Sequence, residues 1–240
     1  MYDPLEQFNL HVYIPFKIGD WDLSLSNAGI AMLFVSFISV FIMWALTRNM
    51  KLLPDLPQTL VESLYLFIRS MIDETIGQKG RCLIPFVLSV FIFVLFGNLL
   101  GLFPYAFTFT SHLSIVGAIA LLGSFVSILL GVFNKGFSWF HTFFPKKLPW
   151  ALAPLMIPVE IISFLSKPFS LTMRLVMNMT VGHIMLEVVA GFVFVLGIAG
   201  FVPLLFTGVL ILFEMFIAIL QAYVFTILTC IYLSEAFNEE

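Results

Sequence analysis

The chain has 240 residues, 61% of them hydrophobic and 10% charged, with a formal net charge of −3. Such a composition excludes an ordinary soluble globular domain and a disordered segment, and it describes a polytopic membrane protein. The net charge itself says little, because the positions of Lys and Arg carry the topological information.

Residues 1 to 26 mix polar and apolar groups, with Asp3, Glu6, Asp20 and Asp22 against Lys17. They read as a short surface segment, too acidic for a signal or transit peptide, and insertion without a cleaved leader is expected. Residues 28–46 are uncharged and of spanning length, and they predict a first transmembrane helix with Trp44 as an interfacial anchor. Residues 54–80 place Leu60, Leu64, Phe67, Ile68 and Met71 at helical spacing, with Glu62, Arg69, Asp73 and Glu74 on other faces. That pattern predicts an interfacial amphipathic helix lying on the membrane and ending at Gly77 and Gly80.

Residues 83–104 and 113–133 predict a transmembrane hairpin joined by the uncharged link YAFTFTSH. Gly97 and Gly101 form a G-x-x-x-G beside Asn98, which favours close helix contact or an ordinary packing face. The aromatic stretch FSWFHTFF after the third span reads as interfacial, and its His141 as a surface histidine. Cys82 and Cys230 show no metal-ligand spacing and read as small buried hydrophobes. Of the eleven Lys and Arg residues, Arg48, Lys51, Arg69, Lys79, Arg81, Lys135, Lys146 and Lys147 fall in the two connections on one side. The positive-inside rule puts those connections in the cytoplasm or matrix and the N-terminus outside.

Residues 150–190 and 203–236 predict two long helices forming an antiparallel hairpin that turns near 191–202. About 40 residues of helix extend ~60 Å against a ~30 Å hydrocarbon layer, so a tilted helix is preferred over a break at Pro168. The first of the two carries Glu160, Lys167, Arg174, His183 and Glu187. Ionisable groups at membrane depth are costly and are read by default as part of an ion or proton path. On a helical wheel Glu160, Ser163, Lys167, Ser170, Arg174 and Asn178 fall within roughly 80° of one another, while His183 lies about 180° from Arg174. Glu187 lies one turn beyond His183 on its side. The plainer alternative is a buried ion pair plus a satisfied core histidine. In the last helix Thr207, Glu214 and Gln221 recur every seven residues, with small Ala218 and Ala222 beside Gln221. In an antiparallel hairpin, His183 and Glu214 lie at comparable distances from the turn.

PVEIISFLSKPFSLTMRLVMNMTVGH, with EMFIAILQAYVFTIL, the closing YLSEA and NLLGLFPY in the second span, resembles subunit a of the F-type ATP synthase, of the mitochondrial and alphaproteobacterial type. The likeness runs from about residue 28 nearly to the end. It implies a proton-conducting stator subunit with no catalytic chemistry of its own, whose two offset half-channels serve a rotor ring of c subunits. By resemblance Arg174 is the arginine facing the ring, Asn178 its polar companion and Glu160 the acid of the inner half-channel. His183 and Glu214 match the outer pair, and Gln221 matches the glutamine beside the arginine. Glu187 joins them as a proton-path candidate. Met177 and Val181 stand where the family often has smaller residues. The resemblance implies b-type stalk subunits, other membrane subunits and lipid as partners, and no nucleic acid, cofactor or metal. A mitochondrial inner membrane is expected from the Phe-rich composition, with a bacterial membrane as the alternative.

Two rivals come from other classes. A self-contained cation transporter would use the buried ionisable groups as its own substrate site, but no inverted repeat is visible. An intramembrane hydrolase lacks an H-E-x-x-H, and Ser124 has no nearby base. His183 and Glu187, four residues apart, are too few ligands for a metal.

Overall fold

The computed structural model describes residues 12–14, 17–18, 21–22, 24–48, 51, 55–102, 108–136 and 153–237. His141, Lys146 and Lys147 lie outside the described residues. Two short antiparallel ribbons precede the helices: β1 (Val12–Ile14) pairs with β4 (Leu25–Ser26), and β2 (Lys17–Ile18) with β3 (Trp21–Asp22). The rest is helical, and five helices among the described residues are long and apolar enough to cross a membrane. The protein is an all-α membrane protein.

Helix α1 (Asn27–Thr47) begins at Ser26, whose hydroxyl accepts a hydrogen bond from the Gly29 amide at 3.4 Å, the N-cap arrangement. It buries Ala28, Val35 and Ser39 and leaves Leu33, Phe37, Val40 and Phe41 exposed, a face suited to lipid. At its end the Arg48 guanidinium lies 5.1 Å above the Trp44 ring.

Helix α2 (Leu56–Thr75) is tied back to the preceding chain by Gln58, whose side chain accepts from the Lys51 amide at 2.9 Å and donates to the Lys51 carbonyl at 3.0 Å. Its apolar residues divide between two roles. Ile68, Met71 and Ile72 enter the main core, while Leu56, Leu60 and Leu66 are exposed. Beyond it the chain turns at Gly77, whose φ of 84° is one that L side chains rarely adopt. The Arg81 guanidinium then bonds both carboxylate oxygens of Asp73 at 2.9 Å, closing α2 onto the next helix. That bidentate bond from Arg81 holds the Asp73 carboxyl below its usual pKa.

Helix α3 (Ile84–Gly101) and helix α4 (Leu113–Lys135) are joined through a 3-10 turn at Phe109–Ser111. Here the glycine pair does something narrower than join two long helices. A Cβ on Gly97 would lie 2.7 Å from Phe109 Cζ, and one on Gly101 would collide with Thr108 Cγ2. The glycines make room for the chain's own return segment. Gly97→Val is expected to lower stability by about 1–3 kcal/mol, as overpacking a filled site does. Denaturant unfolding in detergent checks this, with Gly191→Ala, which meets open space, as the control.

Helix α5 (Ala153–Val195) runs 43 residues without interruption, with Pro158 and Pro168 inside it. At 1.5 Å per residue it extends about 64 Å. The Thr172 hydroxyl donates to the Pro168 carbonyl at 2.8 Å. A 3-10 turn at Gly197–Gly200 reverses the chain, and helix α6 (Phe201–Phe237) packs antiparallel to α5. The core lies between α3, α4, α5 and α6, around Val87, Phe91, Val116, Leu175, Phe225 and Leu233.

Candidate functional site

Two faces of α5 carry opposite chemistry. Arg174 is exposed, and so are Ser170, Met177, Val181, Met185 and Val188 within about 60° of it on the helix. Among the described residues Arg174 forms no ion pair. From residue 170 to 188 this exposed stripe carries Arg174 among apolar or weakly polar groups, while Lys167, two turns earlier, is paired with Glu235. Met177 and Val181, the departures from smaller residues, belong to this stripe. Leu171, Leu175, Met179 and His183 lie progressively further round the helix and are buried, His183 about 180° from Arg174.

At Gly182 helix α5 meets the Glu214 carboxylate of α6. A Cβ built there would lie 2.5 Å from Glu214 Oε1 and 2.9 Å from Glu214 Cδ, so the glycine is what admits the carboxylate between the helices. Beside it is a cavity of about 20 Å³ lined by Leu102, Asn178, Met179, His183, Glu214 and Ile217. About 10–15 Å³ suffices for one water molecule. Glu214 Oε2 is buried with no partner among the described residues, which supplies the polar surface such a water needs. The His183 ring, 9% exposed, lines that cavity beside Leu102 at the end of α3. An imidazole and a carboxylate around a one-water space can pass a proton between them.

The last turn of α3 forms a third wall. The Asn98 side chain, fully buried, donates through Nδ2 to the Ala218 carbonyl at 3.3 Å. Gln221, 3% exposed, lies one turn further along α6, and its Nε2 has no partner among the described residues. No hydrogen bond joins Gln221 to Arg174 among the described residues. Ala218 and Ala222 are fully buried, which lets α6 lie close to its neighbours.

At the far end of the hairpin Lys167 Nζ approaches Glu235 Oε1 at 3.4 Å and lies 5.8 Å above the Tyr232 ring. The Ser127 hydroxyl donates to the Tyr232 carbonyl, which fixes α4 to the same end. Glu160 lies within α5, but its side chain is outside the described residues. Glu187 is exposed and does not line the small cavity. No group of three or more metal-ligating residues gathers among the described residues.

The structure therefore brings together Asn178, His183 and Glu214, and it sets Arg174 on the helix face opposite His183, one turn from Asn178. Asn98, Glu235, Thr110 and His112 were not singled out from sequence as site residues. An amide within an apolar span was the available signal for Asn98. His112 caps the start of α4 half-buried, and burial pushes its pKa down.

Residues 29–234 match the ATP synthase A chain family. The chain is similar to "ATP synthase subunit a" of Rhodospirillum rubrum, 46% identical over 241 residues, covering 99% of both chains. It is also similar to "ATP synthase subunit a" of Paramagnetospirillum magneticum, 43% identical over 246 residues with the same coverage.

Proposed function

The chain belongs to the ATP synthase A chain family, and from that membership we propose that it is the stator that carries protons to and from a rotor ring of c subunits. Two offset half-channels open toward opposite compartments, and Arg174 separates them. The observation that carries this reading is the position of Arg174, exposed midway along α5 on the face opposite His183.

The chemistry follows from the residue types. Guanidinium stays protonated throughout the physiological range and has no acceptor, so Arg174 does not relay a proton. It pairs instead with a deprotonated ring carboxylate, which lets the rotor pass in its ionised form and closes the direct route between half-channels. Each proton brings ~2.3 kcal/mol per 100 mV of membrane potential, and the barrier directs that energy into rotation. His183 and Glu214 exchange protons in one half-channel, with Asn178 beside them. Glu160 serves the other, and Gln221 supports the α5–α6 contact near the arginine. Glu187, further along, has the weakest support.

The subunit contributes no catalytic chemistry; ATP is made elsewhere in the complex. Peripheral-stalk b-type subunits and other membrane subunits hold it against the ring. The relatives are bacterial, which supports a bacterial inner or plasma membrane over the mitochondrial one first expected. In this reading the N-terminus lies outside.

Loss of the imidazole in His183→Ala is expected to slow proton translocation by about 10²-fold, the usual contribution of a positioned acid–base group, while the complex still assembles. Flux in reconstituted vesicles checks it. The rival reading of a self-contained transporter is tested by the chain alone in vesicles. A stator is silent without its ring, whereas proton conduction by the isolated chain would favour the rival.

A further inference from the structure

The turn between α3 and α4 buries its polar side chains. Thr108, Thr110 and Ser111 are all shielded, and Thr110 is 2% exposed. Ser111 Oγ donates to the Thr108 carbonyl at 2.6 Å, which satisfies that hydroxyl. Thr110 Oγ1 is different, for it is buried with no partner among the described residues. A lone hydroxyl removed from water is unfavourable, and proteins ordinarily meet such groups with an ordered water.

Its surroundings give that water a destination. A Cβ on Gly101 would lie 3.8 Å from Thr110 Oγ1, so the hydroxyl sits against Gly101. Leu102, the next residue, lines the one-water cavity together with His183, Asn178 and Glu214. The turn packs on α5, with half-buried His112 at its end. Polar groups thus run from His112 and Thr110 past Gly101 to His183 and Glu214.

Resting on the reading that His183 and Glu214 form one half-channel, the geometry points to Thr110 as a positioning residue whose hydroxyl holds a water between the α3–α4 turn and α5, on the proton route to His183. The water gives one proton toward His183 and takes one from the next water outward. The Thr110 oxygen orients it and exchanges no proton of its own.

The test uses the intact complex in vesicles. Thr110→Val, which keeps shape and removes the hydroxyl, is expected to lower passive proton flux and ATP synthesis by roughly threefold to tenfold, the equivalent of one hydrogen bond. Thr110→Ser is expected to restore the flux, which a purely structural role for the methyl group would not. Thr110→Cys is expected to react with a small water-soluble thiol reagent applied from one side only. Wild-type flux in Thr110→Val, failure of Thr110→Ser to rescue, or no thiol reaction would each overturn the route. Should Thr110→Val not assemble, the thiol reaction of Thr110→Cys decides. Glu214→Gln separates the two levels. If it blocks flux while Thr110→Val does not, this route alone fails; if it too leaves flux intact, the half-channel reading fails with it.

Discussion

Arg174→Ala is expected to abolish ATP synthesis in an assembled complex whose membrane sector then leaks protons. The side chain is exposed and makes no ion pair among the described residues, so truncating it removes no core packing and assembly should survive. Leu175→Ala provides the contrast. That neighbour is 2% exposed, and emptying such a site costs about 2–5 kcal/mol of stability. A charge retained on a lipid-depth face opposes insertion by about 2.5–3.5 kcal/mol on translocation scales, and the proposed ring carboxylate would offset that cost. On the proposed reading, a ring carboxylate passing between half-channels without the guanidinium has no counter-charge, and protons cross without turning the rotor. Arg174→Lys should not restore coupling fully, because a desolvated ammonium loses its proton far more readily than a guanidinium. Synthesis rates and dissipation of an imposed gradient in inverted vesicles check both variants. Coupled synthesis in Arg174→Ala would contradict the barrier role.

Gly182→Leu is expected to cost about a hundredfold in proton flux, since displacing a reacting group by an ångström has effects of that size. The reason lies in which atoms the new side chain meets. A Cβ at 182 falls on the Glu214 carboxylate rather than on backbone. Glu214 is flexible enough to swing aside, so the stability penalty should stay near the low end of the ~1–3 kcal/mol typical of overpacking. The carboxylate, however, leaves the cavity it shares with His183 and Asn178. Gly182→Ala should show the same pattern in milder form. Thermal unfolding of the purified complex beside flux measurements separates the two effects. A large loss of stability with normal flux per assembled complex would show that Gly182 serves packing alone.

Much of the architecture was legible because membrane helices announce themselves through uncharged length. The opposite placement of Arg174 and His183 was legible too, since nine residues at 100° each come to half a turn. Other features depended on which segments meet, and local pattern does not encode that. Lys167 and Glu235 are 68 residues apart in the chain, and only the antiparallel packing of α5 and α6 pairs them. Gly97 and Gly101 signalled that something approaches closely, and the sequence did not say that it was the chain's own turn. Asn98 sat beside that motif in plain view, but its target on α6, the Ala218 carbonyl, is a tertiary fact. Helix α2 looked purely interfacial because its apolar stripe was read as one face. In the fold, Ile68 and Ile72 turn into the core while Leu60 does not.

The claim on which the account depends is that the α5 stripe bearing Arg174 faces the rotor. Cysteine cross-linking in native membranes tests it most directly, pairing Ser170→Cys, Met177→Cys or Val181→Cys with cysteines beside the ring carboxylate. The account predicts disulfides from these three exposed positions and none from the buried Leu175→Cys. Failure at all three, with cross-links forming from other faces of α5 instead, would contradict it.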